Sequence, residues 1–319
     1  MPRGRKIIKT IEVEECTVGS ASEEFYRHNQ ARGLSEETQR AYKSYVGLFV
    51  RWCGEDMILS DITEKTLDSY INKRRKDGNK DVSLATNMKH VRRFLNFCSG
   101  RGYMEKVNVI IPKFQKELKD PYTDEEMRLL LKKPRTNNWV EYRTWTMINY
   151  FYSTGQRLST VLNIKVCHLD LERATVKLVW NKDKRQKYMP LSTALVKVLR
   201  EYILLSGLEE QDYLFPEYEG KQLKNRSAED AIADYNRARG VQKTGIHLFR
   251  HTFAKNYIVN GGNPIKLQHL LNHKTIDQTM QYVNLYGVDI MNDLDMYNPL
   301  DCFKRNNYTP TKRTKIMGV

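Results

Sequence analysis

The sequence predicts a mainly helical protein with one small β-sheet, divided into two domains. Three observations carry that expectation. Apolar and aromatic residues recur at three- and four-residue spacing through most of the chain, in segments that open near Ser or Thr and close on Gly. A lysine-rich polar run bracketed by Pro112 and Pro121 interrupts the pattern. One stretch, TVKLVWNKDKRQKYMPLS, reads instead as two short strands about a charged turn.

Taken in order, SEEFYRHNQARG, SEETQRAYKSYVGLFVRWCG, TEKTLDSYINKRRKDG and SLATNMKHVRRFLNFCSGRG predict four helices between Ser22 and Tyr103. Ser35 with Thr38, Thr63 and Ser83 can accept the free amides of a first turn, and Gly33, Gly54, Gly78, Gly100 and Gly102 permit a left-handed exit. Tyr42, Tyr45, Val46, Phe49 and Trp52 share one face, which is read as core rather than as a platform for stacking bases. Beyond the prolines, TDEEMRLLLKK and VEYRTWTMINYFYSTGQRLSTVLNI predict helices, and the two strands follow. Further helices run from Ser192 through AEDAIADYNRARG to Tyr282. Past Tyr286 the pattern weakens, and KRNNYTPTKRTKIMGV is polar and basic. The expected division is a basic N-terminal arm at 1–20, a helical domain at 21–111, a linker at 112–122, a second domain at 123–298 and a polar tail at 299–319.

A chain of 319 residues with 40% hydrophobic content can fill a core in each domain. No apolar run reaches the length of a membrane span, and MPRGRKIIKTIEVEE lacks the apolar core of a secretory signal, so a cytoplasmic protein is expected. Five widely spaced cysteines form no CxxC pair and no zinc spacing, which points to reduced thiols and no metal site. The formal net charge is +15, spread over a chain in which 29% of residues are charged. Basic surfaces of that extent favour a polyphosphate partner, because binding releases condensed counterions. Nucleic acid leads the candidates.

His247–Tyr282 holds four of the seven histidines of the chain. His247 and Arg250 are three apart and share a helical face, where both can reach one anion. His273 and Tyr282 follow at a nine-residue interval, which lets a phenol on a later helix approach the same site. The chain has no HExxH, GxSxG or GxxxxGK[ST] motif. A phenol attacks phosphorus when neighbouring groups stabilise the charge growing on the equatorial oxygens, and arginines do so without a metal.

These residues resemble the catalytic region of the tyrosine recombinase (phage integrase) family. STGQRLSTVLNIKVCHLDLE is similar to the first-arginine segment and points to Arg157, while VWNKDKRQKYMPLS resembles the lysine hairpin and points to Lys182. HLFRHTFA supplies His247 and Arg250; LLNHKTIDQTMQYVN supplies His273 and Tyr282. The N-terminal GLSEETQRAYKSYVGLFVRWC and LSDITEKTLDSYI are similar to the family's core-binding domain, so the resemblance runs from about residue 20 to 290. It implies a helical core-binding domain and an α+β catalytic domain that clamp duplex DNA as a C-shaped ring. It also implies site-specific strand exchange by four protomers on two sites with inverted-repeat core sequences, with no cofactor, metal or ATP.

In the implied chemistry Tyr282 forms a 3′-phosphotyrosyl bond, and Arg157 and Arg250 fork onto the nonbridging oxygens. Lys182 protonates the leaving 5′ oxygen, His247 contacts the phosphate and assists proton transfer, and His273 hydrogen-bonds the phosphate. Thr160 stands where many relatives carry a carboxylate, and Asn181 and Asp183 flank Lys182 where glycines are common, so Lys184, Arg185 and Lys187 are rivals for the lysine role. Tyr286 is the rival nucleophile, and His251 and His269 are read as packing or capping residues. Candidates for DNA contact are Lys43, Lys73, Arg74, Arg75, Lys89, Arg92 and Arg93. Ile290, Met291, Leu294 and Met296 or Tyr297 offer an apolar stripe at helical spacing, which resembles the C-terminal helix by which relatives dock on a neighbouring protomer; the alternative is a helix folded back on its own domain. The alternatives are a catalytically silent DNA-binding protein of the same fold and a type IB topoisomerase.

Overall fold

A computed structural model describes residues 16–114, 120–135, 137–179 and 187–286. The expected arm before residue 16, Lys182, the apolar stripe after Tyr286 and the polar tail lie outside these described residues. The chain separates into two compact units near residue 118.

The first unit is a helical bundle of α1 (Val18–Ala31), α2 (Glu36–Cys53), α3 (Glu64–Lys76) and α4 (Asp81–Gly100). Ser35 caps α2 by accepting from the Thr38 amide, and Thr63 caps α3 in a reciprocal pair with Thr66. Two local readings need correction. Ser83 is not a cap, since α4 already begins at Asp81, and Gly100 is the last residue of that helix rather than its left-handed exit, which falls to Gly102. Helix α1 likewise starts at Val18, inside the segment assigned to the arm, because Thr17 accepts from the Ser20 amide and Val18 is fully buried.

The aromatic face of α2 is core, as expected. Phe49 is fully buried and packs edge-on to Tyr70 at 5.2 Å, and Phe25 meets Tyr42 at 5.0 Å. Tyr45 is half-buried and stacks on His90 at 4.6 Å.

The second unit contains α5 (Asp124–Leu131), α6 (Trp139–Thr154), the single turn α7 (Leu158–Val161), a small sheet, α8 (Thr193–Ser206), α9 (Asn225–Ala238), α10 (Ile246–Val259), α11 (Pro264–Leu271) and α12 (Asp277–Tyr286). Helix α6 is buried from Tyr142 through Ile148, almost without a solvent face, and is therefore the central element of the unit. Even Arg143 is buried there, stacked on Trp139 at 4.6 Å and donating to the Pro216 carbonyl. The sheet is antiparallel in the order β1 (Leu169–Asp170), β2 (Thr175–Leu178), β3 (Lys187–Pro190). The hairpin of β2 and β3 answers the expected strand pair; β1 adds a two-residue strand too short for any periodic signal. Val176 and Met189 face each other on its buried side, while Lys177 lies opposite exposed Tyr188.

A satellite cluster, distinct from the main core, joins the last three helices through Ala254, Ile258, Leu267, Leu271 and Tyr282. It fixes α12 to α10 and α11. Among the described residues no helix is long and apolar enough to cross a membrane.

Tyr122 stands in the expected linker segment but is buried in the core of the second unit, against Phe249 of α10 at a centroid distance of 4.5 Å. Its amide donates to Thr252 Oγ1, and its phenol accepts from Asn236 Nδ2, whose other bond goes to the Lys243 carbonyl. This network anchors the segment that leads into α10. Tyr122→Phe removes one acceptor from a fully buried amide and is expected to lower unfolding stability by about 1–2 kcal/mol, read from the midpoint of denaturant unfolding at unchanged slope.

Candidate active site

Arg250 lies on α10 with 6% of its surface exposed, and its guanidinium joins two distant pieces of chain. Nη1 donates to the Gly155 carbonyl at 2.8 Å and Nη2 to the Leu271 carbonyl at 2.7 Å. The turn between α6 and α7 adds two parallel contacts to the end of α11: Gln156 Nε2 to the Leu270 carbonyl at 3.0 Å and Arg157 Nη1 to the Asn272 carbonyl at 3.5 Å. Consecutive carbonyls at one helix C-terminus, where the helix dipole is negative, thus gather both arginines.

Local sequence produces this geometry. Gly155 ends α6 in the left-handed region at φ +60°, and a Cβ there would lie 2.6 Å from Phe253 and 2.7 Å from Leu271. Asn263 caps α11 ahead of Pro264, and Asn272 ends it at φ 52°, turning the chain so that His273 follows directly. His273 Nδ1 lies 2.8 Å from Thr279 Oγ1, and Thr279 is fully buried one turn before Tyr282 on α12. Tyr282 is 5% exposed, and its Oη lies 2.8 Å from Nδ1 of His251.

The site is electropositive and partly desolvated. Burial, then the charge of Arg157, lowers the Arg250 pKa to about 10. Burial and the nearby charges of Arg250, Arg157 and His251 push His273 down to about 4, so its ring is neutral at ordinary pH. Burial raises the Tyr282 phenol, against a lowering by Arg250. Among the described residues no carboxylate pairs with Arg157 or Arg250. Thr160, at the position noted for a carboxylate, is buried in α7 with its amide on the Arg157 carbonyl. Two guanidiniums without an acidic partner make a site for an anion.

Arg157, Arg250, His273 and Tyr282 are therefore brought together. His247 sits in the first turn of α10, exposed, one turn before Arg250. Lys182, Lys184 and Arg185 lie outside the described residues. Lys187 begins β3, and its Nζ donates to the His269 carbonyl, which ties the base of the hairpin to α11 one turn before His273. Tyr286 is half-buried with Lys255 over its ring at 5.5 Å. His251, read from the sequence as packing or capping, instead holds the Tyr282 phenol; its only sequence signal is adjacency to Arg250.

Among the DNA-contact candidates, Lys89, Arg92 and Arg93 line one groove of about 750 Å³ in the first unit, together with Lys106 and His90. Lys43 lines a separate cleft beside Glu23, Arg27 and Arg51. Lys73 pairs with Asp77 at 2.7 Å, Arg75 with Asp81 at 3.0 Å, and Arg74 bonds Asn79. Exposed pairs of this kind contribute little and open readily.

Residues 122–287 match the phage integrase family, and residues 23–102 match the family's N-terminal SAM-like domain. The chain belongs to the phage integrase family. Its relatives include a tyrosine recombinase of Pseudothermotoga lettingae, 28% identical over 80% of this chain and 89% of the relative. Tyrosine recombinase XerD of Staphylococcus haemolyticus is 26% identical over 84% of this chain and 94% of its own. The fold is that of lambda integrase, solved as a tetramer bound to a Holliday junction: TM-score 0.68 at 18% identity, covering 85% of this chain and 78% of that one. Tyrosine recombinases are a class of enzymes that cleave and rejoin DNA, and this phage integrase family member carries both of the family's domains.

Two expectations follow from the site. Gly155→Ala combines a left-handed backbone with a Cβ clash, whereas Gly207→Ala, also at φ +60°, meets nothing within 4 Å. Both lose about 1–2 kcal/mol from the backbone alone, and Gly155→Ala loses about 1–3 kcal/mol more from overpacking, measured as the difference between their unfolding midpoints. The second concerns His273. Its folded pKa lies below the ordinary 6.5, so stability present above that pH is lost as pH falls through about 4. Wild-type stability should decline over that window more steeply than that of His273→Gln; parallel curves would show that the ring is not desolvated in the folded chain.

Proposed function

We propose that the protein is a site-specific DNA recombinase that exchanges strands through a 3′-phosphotyrosyl intermediate. The observation that carries this reading is the convergence of Arg157 and Arg250 on the end of α11, with His273 and the Tyr282 phenol beside them. Arg250 gives two of its five N–H donors to carbonyls. Three remain for a nonbridging phosphate oxygen, and Arg157 supplies a second fork.

Tyr282 Oη attacks phosphorus, and the 5′ oxygen leaves. The bond energy is kept in the phosphotyrosyl ester, so a 5′-hydroxyl from a partner strand reverses the step without ATP. Nδ1 of neutral His273 lies 2.8 Å from Thr279 Oγ1, and we assign its single proton to Nε2, the form that donates to a phosphate oxygen. His247, one turn before Arg250, reaches the same phosphate from the exposed edge of α10. Lys182 is assigned the proton for the leaving oxygen, and the anchoring of the hairpin base through Lys187 supports that assignment. The substrate is double-stranded DNA with inverted-repeat core sites. The first-unit groove of Lys89, Arg92 and Arg93 supplies phosphate contacts, and four protomers assemble on two sites in the cytoplasm.

The test is covalent capture on a nicked duplex whose core is first selected from a randomised library by the full-length chain. Tyr282→Phe should bind as the wild type does and form no adduct, while Tyr286→Phe should retain it. A phosphotyrosyl peptide mapping to Tyr286 overturns the nucleophile assignment, and wild type that binds and never forms an adduct leaves only the DNA-binding function.

A further inference from the structure

The reading of Tyr282 as nucleophile leaves a proton without a destination. Burial raises the phenol's pKa, so at neutral pH Oη carries its hydrogen and is a poor nucleophile until that hydrogen is removed. A general base has to lie within hydrogen-bond reach of the proton it takes.

The surroundings narrow the choice. Arginines only donate. His273 has Nδ1 engaged with Thr279 Oγ1 at 2.8 Å. No carboxylate among the described residues bonds Tyr282, and Asp120 acts on Tyr286 instead. His247 is assigned to the phosphate, and the base in hydrogen-bond contact with Oη is His251, whose Nδ1 lies 2.8 Å away, with ring centroids 5.7 Å apart and planes tilted by 46°. An imidazole suits this task near neutral pH.

Resting on the proposed role of Tyr282, we propose that His251 is a further catalytic residue: its Nδ1 takes the phenolic proton as Oη attacks phosphorus. The O–H bond of Tyr282 breaks and an N–H bond forms on His251, the Oη–P bond forms and the P–O5′ bond breaks. The 5′ oxygen receives its proton from the leaving-group acid assigned above. In religation the 5′-hydroxyl gives its proton back to the leaving-group acid as its oxygen attacks phosphorus, the P–Oη bond breaks, and the imidazolium returns its proton to Oη, so the site is restored after each exchange.

One helix then serves both ends of the attack. Arg250 of α10 faces the phosphate, and the next residue, His251, faces the nucleophile. Among the described residues, Tyr282 and His273 interact with His251, and His247, Arg250 and Lys255 are the other charged or titratable groups on its helix.

The experiment compares wild type, His251→Asn and His251→Ala on the selected nicked duplex, with binding measured by gel shift and adduct formation timed by quenched-flow sampling. His251→Asn places an oxygen where Nδ1 stands, so it keeps a hydrogen bond to Tyr282 but takes no proton. Both variants should bind DNA as the wild type does and form the Tyr282 adduct at least about 100-fold more slowly. The wild-type rate should fall on the acid side as the imidazole protonates, and that limb should be missing from His251→Ala. Added imidazole should restore the rate of His251→Ala in proportion to its free-base concentration. An adduct formed as fast as in the wild type, or faster, overturns the proposal and makes the contact a latch on a resting nucleophile. Slow cleavage without imidazole rescue and with the acid limb retained overturns it in favour of a purely structural contact. In each of these cases the wild-type adduct on Tyr282 still stands, so the recombinase reading fails only if that adduct is absent.

Discussion

A buried guanidinium held by backbone carbonyls organises the catalytic unit. Arg250 bonds Gly155, 95 residues before it, and Leu271, 21 residues after it, and so couples the end of the central helix α6 to the end of α11. Burying a charge costs free energy unless its donors are satisfied, and carbonyls take up two of the five Arg250 donors without cancelling the charge. A carboxylate would have neutralised the site. Backbone acceptors leave it positive, and that charge is available for an anion in a setting of low dielectric, where it acts most strongly.

The same constraint dictates the backbone around it. Gly155 and Asn272 both occupy the left-handed region, the first with no room for a Cβ. Each ends a helix so that the next residues present Arg157 and His273 at the same place. The strain of the Asn272 conformation is modest for that residue type, whose short amide tolerates it. The site is therefore made by helix ends, where unsatisfied polar groups are concentrated, rather than by the helix faces that build the core.

The proposed nucleophile is held differently. Helix α12 rests on a satellite cluster of few side chains and on two polar contacts, Thr279 with His273 and Tyr282 with His251. An element secured by so little buried surface opens at lower cost than the main core. The arginine site is tied to two distant helix ends, whereas the phenol sits on a helix held by a smaller cluster. That division suits a reaction in which the phosphate stays in place while the protein's oxygen moves on and off it.

Much of this was legible in the sequence. Helices of both units follow from short-range periodicity, and those of the first unit also from caps such as Ser35 and Thr63, because those signals act between residues three or four apart. The strands of the β2–β3 hairpin show in a short local pattern, and the motifs and their order single out Arg157, Arg250, His273 and Tyr282, which the structure brings to one place. Boundaries were less secure. Asp81 opens α4 two residues before the expected Ser83, because a helix extends while its amides find acceptors, and Tyr122 left the linker for the core because Phe249 and Asn236 receive it.

Only the tertiary structure assigned His251 to Tyr282, a contact across 31 residues. On its own helix His251 is one more residue beside an arginine. Its role depends on the angle at which α12 returns over α10, and that angle comes from the packing of Leu267, Leu271 and Ile258 and from the turn at Asn272. Local sequence determines which residues can do the chemistry. Which of them meet is decided by long-range burial and by the search of buried donors for acceptors, and neither leaves a periodic trace along the chain.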